Sequence, residues 1–279
     1  MILVKTKADL QEQLKKFRTE GAIGLVPTMG ALHAGHLSLV QKAAGENQTV
    51  VVTIFVNPTQ FNDTEDLKRY PRNLEADLKM LEPTACDLVF APEAEEIYPE
   101  RDDRKFDFGE LETVMEGKYR PGHFNGVAQV VSRLFDIIRP DKAYFGLKDF
   151  QQLAVIKKMV EQLKLPVEII GCPIIREENV LAMSSRNELL SAEERKSASL
   201  IYKTLTEAKN QVGQKSVKEL REWMTENINN NPFLNVEYIE IVDDKNLQPV
   251  KNRDDEGTKV ACAAVFCGKV RLIDNMVLN

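Results

Sequence analysis

Along the first 175 residues, short apolar runs alternate with segments whose apolar residues recur at helical spacing. AIGLVPT (22–28) is an apolar run that ends on Pro and Thr, and residues 35–46 follow a helical pattern. TVVVTIFV (49–56) is β-branched and apolar at nearly every position, which predicts a parallel strand buried on both faces. It stops at Asn57-Pro58, a turn signal. NLEADLKMLE (73–82) repeats Leu at helical spacing, and DLVFAP (87–92) is strand-like. Residues 123–139 place Phe124, Val127, Val130, Val131, Leu134, Phe135 and Ile138 on one wide helical stripe that ends before Pro140. AYFG (143–146), a helix over 149–164 and VEIIGC (167–172) complete the alternation. Strands alternating with helices of this length predict βαβ units and a parallel, doubly wound α/β sheet. Such sheets bind ligands outside the carboxyl ends of their strands.

Beyond residue 176 the rhythm changes. Two amphipathic helices are expected over 191–211 and 215–230, the second holding the only tryptophan, Trp223. Strands follow at 236–242, 259–267 and 270–276, the last two joined by a hairpin turn at Cys267-Gly268-Lys269. The polar stretch 243–257 reads as an exposed loop. The expected organisation is therefore a domain over 1–176 and a smaller α+β domain over 177–279. The chain has no internal repeat and no low-complexity tract.

Composition narrows the function. The chain has 279 residues, 37 Lys+Arg and 43 Asp+Glu, a formal charge of −6. That balance argues against nucleic acid as the main partner, because phosphate contacts need an excess of Lys and Arg. An apolar fraction of 43% with 29% charged residues excludes a disordered chain. No apolar run approaches the roughly 18–20 residues of a membrane span. The apolar start MILV is too short for a signal peptide and precedes its lysines, so a cytoplasmic location is expected. Cys86 and Cys172 stand alone, and alternation puts Cys262 and Cys267 on opposite faces of one strand. All four are expected as reduced core residues.

The strongest chemical signal is TMGALHAGH (28–36). It holds two of the three histidines, His33 and His36, follows a buried strand and opens a helix. A helix N-terminus attracts phosphate through free N–H groups and its positive dipole end. Spacing i, i+3 can aim both imidazoles at one anion, and Gly30 and Gly35 permit close approach of a ligand. Two satisfied or exposed loop histidines are the plainer alternative. Zinc is a third reading, without HExxH or a nearby third Cys or His ligand to support it. GxxxxGK[ST] and GxGxxG are both absent, so any ATP site is neither a P-loop nor a dinucleotide fingerprint. A second signal is AMSSRN (182–187), where Ser184, Ser185 and Arg186 offer hydroxyls and a guanidinium to phosphate oxygens, or simply cap a helix.

Together the two motifs resemble the HIGH and KMSKS signatures of the nucleotidyltransferase superfamily. FVNPTQF (55–61), YPRN (70–73), RPGHFNGV (120–127), FGLKDFQQ (145–152) and AMSSRN resemble, in the same order, the pantoate–β-alanine ligase family. The resemblance runs over most of residues 1–190. It implies a Rossmann-like domain with the second domain closing over the site, and a two-step reaction. Pantoate is adenylated by ATP, accompanied by Mg2+, releasing pyrophosphate; β-alanine then displaces AMP to give pantothenate. It further implies that Met29, Gly30, Ala31, Leu32, His33, Ala34, Gly35 and His36 line the ATP phosphates, with His36 catalytic. Gly146, Leu147, Lys148, Asp149, Ile175, Met183, Ser184, Ser185 and Arg186 would contact ATP. Gln60 and Gln152 would hold pantoate, with Gln60 near β-alanine as well. The family is usually dimeric, so a homodimer with small-molecule substrates, and no nucleic acid or membrane partner, is implied.

The chemistry is coherent with these residues. A carboxylate attacking a triphosphate brings anions together, so His33, His36, Lys148 and Arg186 are the groups expected to screen charge. A neutral Gln bonds a hydroxyl or carboxylate without adding charge. Taken singly, Gln60 and Gln152 read as surface amides, Lys148 as a solvated charge, Asp149 as an N-cap and Ile175 as core; the ordered set favours a site. Leu147 stands where the family often has Glu, and Asn125 where Arg is frequent. His123 is expected near the site, and Asp77 is a thinly supported magnesium candidate. The competing readings are another adenylyl or cytidylyl transferase of the superfamily, an aminoacyl-tRNA synthetase, or a non-enzymatic ATP sensor. A charge of −6 and no recognisable anticodon-binding extension disfavour the synthetase.

Overall fold

The β-branched run at 49–56 and its neighbours assemble into one parallel sheet in the computed structural model, which describes residues 1–62, 64–252 and 254–279. The strands are β1 (Ile2–Val4), β2 (Ile23–Thr28), β3 (Thr49–Ile54), β4 (Leu88–Phe90), β5 (Lys142–Gly146) and β6 (Glu168–Cys172). Their order is β1-β4-β3-β2-β5-β6. From β2 the chain winds outward through β3 to β4, then resumes on the other side of β2 with β5. The sheet's topological switch point therefore lies between β2 and β5.

The helices are α1 (Lys7–Phe17), α2 (Ala34–Ala44), α3 (Thr64–Arg69), α4 (Leu74–Leu81), α5 (Ala94–Ile97), α6 (Met115–Tyr119), α7 (His123–Ile138), α8 (Phe150–Leu163), α9 (Ala192–Asn210) and α10 (Val217–Asn229). Register aligns Val26, Val52 and Val89 across three strands, and these pack with Leu39 and Val40 of α2 and Leu81 of α4. Each such fully buried Val, Leu or Ile contributes roughly 1.5–3 kcal/mol. α7 ends where its stripe ends: Arg139 takes a left-handed conformation with φ 51° just before Pro140.

The chain divides into two units. One comprises Met1–Phe108, Arg120–Leu147 and Gln152–Pro173; the other comprises Gly109–Tyr119, Lys148–Gln151 and Ile174–Asn279. Two early segments thus group with the C-terminal third, which a single break at 176–177 does not describe. In that second unit, β7 (Leu234–Asp243), β8 (Lys259–Cys267) and β9 (Val270–Val277) form an antiparallel sheet in the order β7-β8-β9. α9 and α10 cover one face, with Ala198, Ile201, Leu205, Met224 and Ile228 packed on Ile239, Ile241, Ala263 and Val265. Ser191 with Glu194, and Ser216 with Glu219, close capping boxes at the two helix starts. On the opposite face, Glu116 of α6 accepts from the Tyr238 hydroxyl at 2.8 Å and from both terminal nitrogens of Arg271 at 2.9 and 2.7 Å. Burial works against the Arg271 charge, but Glu116 and Glu237 more than offset it and raise its pKa.

The hairpin at Cys267-Gly268-Lys269 forms, with Gly268 at φ 56°. All four cysteines are free and buried; Cys267 packs in the helix-covered cluster and Cys262 lies on the other face. The 243–257 loop is mostly exposed, with Leu247 buried as its anchor, and Arg253 lies outside the described residues. No helix among the described residues is long and apolar enough to cross a membrane.

Candidate active site

The TMGALHAGH segment leaves the carboxyl end of β2 and turns into α2. Gly30 has φ 77°, and a Cβ there would sit 2.8 Å from Asp77 Oδ2. Ala31 follows at φ 49°. The loop is wound onto Asp77 of α4: its carboxylate accepts from Ala31 N at 3.1 Å and Leu32 N at 2.7 Å. Burial raises the Asp77 pKa, and the two backbone donors work in the opposite direction. Both carboxylate oxygens are thus committed to the loop. Asp77 therefore anchors the loop, and it also lines the cavity that borders it.

His33 is the N-cap of α2 and His36 stands at its third helical position. His33 Nδ1 accepts from Gly35 N at 3.1 Å, and His36 Nδ1 accepts from His33 N at 3.3 Å. The ring centroids are 4.1 Å apart. The N–H groups of His36 and Leu37 bond back to the His33 carbonyl at 2.8 and 3.2 Å. The free backbone donors expected at this helix end are therefore largely taken within the cap. The physical reason is the capping box: each ring closes onto a neighbouring amide. Because both Nδ1 atoms accept, a neutral ring at either position carries its proton on Nε2.

Gln60 lies on a short 3-10 turn, Pro58–Gln60, after β3, the neighbour of β2. Its Nε2 donates to Met29 Sδ at 3.1 Å, which ties it to the histidine loop. Asn57, buried at 1% exposure, donates from Nδ2 to Gln60 Oε1 at 3.1 Å and accepts from the Tyr98 hydroxyl at 3.0 Å. His123 Nδ1 is paired with the Gln60 carbonyl at 2.8 Å, so His123 supports this turn. Gln152 is half-buried in the first turn of α8. Gly146 ends β5, and Leu147 opens the following turn. A cavity of about 420 Å3 borders the loop, lined by Met29, Gly30, Ile54, Phe55, Val56 and Pro58 among others, a size suited to a small ligand.

The second unit holds the remaining residues. Lys148 and Asp149 sit in the 3-10 turn before α8, and the Lys148 carbonyl accepts from Asn275 Nδ2 at 3.0 Å. Ile175 and Met183 are joined by a Met183 N–H to Ile175 carbonyl bond of 2.9 Å. Ser184 caps the short helix Ser185–Leu189 by accepting from Arg186 N at 3.3 Å, so its hydroxyl has the plainer capping role as well. Asn187 braces the motif from behind, donating to Glu177 Oε1 at 2.7 Å and the Ala182 carbonyl at 3.0 Å. Among the described residues, no group of three or more His, Cys, Asp or Glu is gathered as a metal site, so neither zinc nor a resident magnesium cage fits the donor set.

The residues that sequence reasoning missed are the supports: Asp77 as anchor, Asn57 and Tyr98 behind Gln60, and Asn275 behind Lys148. Asp77 is singled out by the sequence only as a cation ligand, and Asn57 only through Asn-Pro, which reads as a turn rather than a buried hub.

Comparison with known proteins places the chain in a family. The family model described as pantoate-beta-alanine ligase matches residues 2–277. The chain is 53% identical over 277 residues to a pantothenate synthetase of Bacteroides thetaiotaomicron, covering 99% of this chain and 98% of that protein. It is similar to the crystal structure of pantothenate synthetase from Thermus thermophilus, with a TM-score of 0.93 and 43% identity over 100% of this chain and 99% of that one. It also resembles the pantoate-beta-alanine ligase of Francisella tularensis, solved in complex with Beta-gamma ATP and Beta-alanine, with a TM-score of 0.82 and 35% identity over 100% and 98% of the two chains. By sequence over nearly its whole length and by fold, the chain belongs to the pantoate-beta-alanine ligase family.

Proposed function

We propose that the segments described above divide the family's reaction between them, the ATP-dependent condensation of pantoate with β-alanine. In the first step a pantoate carboxylate oxygen attacks the α-phosphorus of ATP. The bond from that phosphorus to the bridging oxygen breaks, and pyrophosphate leaves. The β-alanine amine then attacks the acyl carbon, AMP leaves with the anhydride oxygen, and the nitrogen gives up a proton to form the amide.

His33 and His36 donate from Nε2 to phosphate oxygens as charge builds on them, and Met29–His36 forms that side of the nucleotide site. Lys148 and Arg186 supply full positive charge, which offsets the approach of two anions. Gly146, Leu147, Asp149, Ile175, Met183, Ser184 and Ser185 hold the nucleotide. Gln60 and Gln152 hold pantoate. ATP is the co-substrate, a reading supported by the nucleotide in the Francisella relative. Magnesium accompanies the triphosphate and keeps its own waters, the usual mode of that ion, and no step here runs through it. A homodimer in the cytoplasm, with the C-terminal unit closing over the site, completes the proposal.

The observation that carries this reading is the end of β2, the switch-point strand, where Asp77 winds the loop and the two histidines close the start of α2 through their Nδ1 atoms. AMP formation from ATP tests it, with pantoate and β-alanine supplied separately and together. AMP is expected in quantity only with both. ATP binding without AMP in any arm would mean a sensor, and AMP formation independent of pantoate would mean another transferase.

A further inference from the structure

Strand β9 carries three polar residues, Arg271, Asp274 and Asn275, in a strand otherwise read as part of the C-terminal core. Asp274 and Asn275 are almost fully buried, at 5% and 8% exposure. Burying polar side chains costs free energy unless they are bonded, so their partners are informative.

Asn275 donates from Nδ2 to the backbone carbonyl of Lys148 at 3.0 Å. The bond closes a loop of 127 residues along the chain. Asp274, which faces the other side of the strand, receives Arg176 in a forked pair, at 2.7 Å from Nη1 and 3.0 Å from Nη2. The guanidinium lies 3.8 Å from the centroid of the Tyr202 ring, and Nη1 also donates to the Val180 carbonyl at 3.2 Å. Val180 sits at φ 73°, a costly conformation for a β-branched residue, so the Arg176 clamp holds a strained hairpin tip. That hairpin, bridged between Arg176 and Ala182, leads from Ile175 directly into Met183–Arg186. The Asp274 carboxylate also accepts from the backbone N–H of Asn275, at 2.8 Å to Oδ1. A second brace holds the first turn of α8, directly after the turn that carries Lys148. Gln151 Oε1 accepts from Glu116 N at 2.8 Å, and Glu116 pairs with Arg271 on the same strand.

We propose that Asn275 is a positioning residue for Lys148, and that Asp274 acts beside it through Arg176, so that β9 sets the spacing between Lys148 and the Ile175–Arg186 segment. Neither residue touches the nucleotide. The inference rests on the reading of Lys148 as a phosphate-binding residue. Its chemical content is geometric. A lysine on a short turn has backbone freedom to spare, and a fixed carbonyl removes it. A displacement of about 1 Å can cost up to roughly a hundredfold in rate.

The test is a double-mutant cycle on the full-length enzyme, read by pantoate-dependent exchange of labelled pyrophosphate into ATP. Lys148→Ala, Asn275→Ala and the double variant are compared, with melting temperatures taken alongside. Asn275→Leu, nearly isosteric and apolar, replaces Asn275→Ala if the latter does not fold. Asn275→Ala is expected to lower the exchange kcat about tenfold, with the ATP KM changed less, and to add nothing further in the Lys148→Ala background. Multiplicative losses in the double variant, with Lys148→Ala impaired, would overturn the positioning role alone. A Lys148→Ala enzyme with normal exchange would overturn the phosphate reading and the proposal with it. A lower melting temperature with unchanged kcat in Asn275→Ala would show a structural bond and also overturn it.

Discussion

Asn57 Nδ2 donates to Gln60 Oε1 at 3.1 Å, and this bond fixes which end of the Gln60 amide is presented outward. The orientation of Asn57 has one solution. Thr59 N–H, which only donates, meets Asn57 Oδ1 at 3.4 Å, and the Gly126 carbonyl, which only accepts, meets Nδ2 at 3.1 Å. Gln60 must therefore turn Oε1 toward Asn57 and Nε2 away from it. The partner of Nε2 is Met29 Sδ, a weak acceptor that a ligand oxygen replaces at little cost. Gln60 therefore presents a donor to a ligand, and not an acceptor.

Gln60→Glu therefore raises the pantoate KM by more than Gln60→Ala does. The carboxylate still accepts from Asn57, but an anionic oxygen replaces the donor proposed above to hold pantoate. Gln60→Ala loses one hydrogen bond, about 0.5–1.5 kcal/mol, while Gln60→Glu adds repulsion and costs at least tenfold. Steady-state kinetics with saturating ATP measure both. Equal effects would mean that Nε2 does not face the acid.

Gly126 makes the same point through the backbone. Its α7 position lies against the turn that carries Gln60, and an added Cβ would collide with the Thr59 carbonyl and come within 2.9 Å of Gln60 N. Gly126→Ala should cost about 1–3 kcal/mol of stability, as overpacking does, and raise the pantoate KM. The ATP KM should stay near its original value. Thermal melts and kinetics together decide this, and an unchanged pantoate KM would show that the turn moves without consequence for the substrate.

His36 has two separable parts, a cap and a donor. His36→Gln keeps a side chain able to accept from His33 N–H, as a capping box does, but removes the ring Nε2–H. Both His36→Gln and His36→Ala are expected to slow adenylation about 10²–10³-fold, the usual loss for one donor to developing charge. Restoration of activity by Gln would assign His36 to the cap alone.

Much of the sheet is legible in the sequence because its signals are local. TVVVTI declares a buried parallel strand by composition, and the α7 stripe stops where Arg139 turns left-handed before Pro140. The elements missed are short or tertiary. β1 has three residues, too few for a period of two to register in the apolar start MILV. α1 carries only two buried residues, Leu10 and Leu14, a narrow stripe. The site motifs 28–36 and 182–187 are legible as strings, but their supports are not. Asp77 reaches Leu32 across 45 positions and Asn275 reaches Lys148 across 127, and no periodicity records a bond of that kind.

Glu46 contributes to the pH dependence of stability in the first unit. The Glu46 carboxylate is held at a pKa of about 2, chiefly by Lys42 at 2.5 Å, then by the Tyr144 hydroxyl at 2.9 Å and by Lys142 at 3.2 Å. A folded pKa below the unfolded one means stabilisation that is complete above the unfolded pKa, near 4.5, and is lost as pH falls toward 2. The difference in melting temperature between the wild-type chain and Glu46→Gln should be present at pH 7, shrink below about pH 4.5 and vanish near pH 2. A difference constant over that range would show that the pairing of Glu46 contributes nothing through its charge.

The central claim is that pantoate is activated at the nucleotide site as a separate step, before β-alanine takes part. Exchange of labelled pyrophosphate into ATP measures that step alone. With pantoate present and β-alanine absent, label should enter ATP, and omission of pantoate should abolish it. Exchange that begins only when β-alanine is added would contradict a separate adenylate and the division of roles built on it.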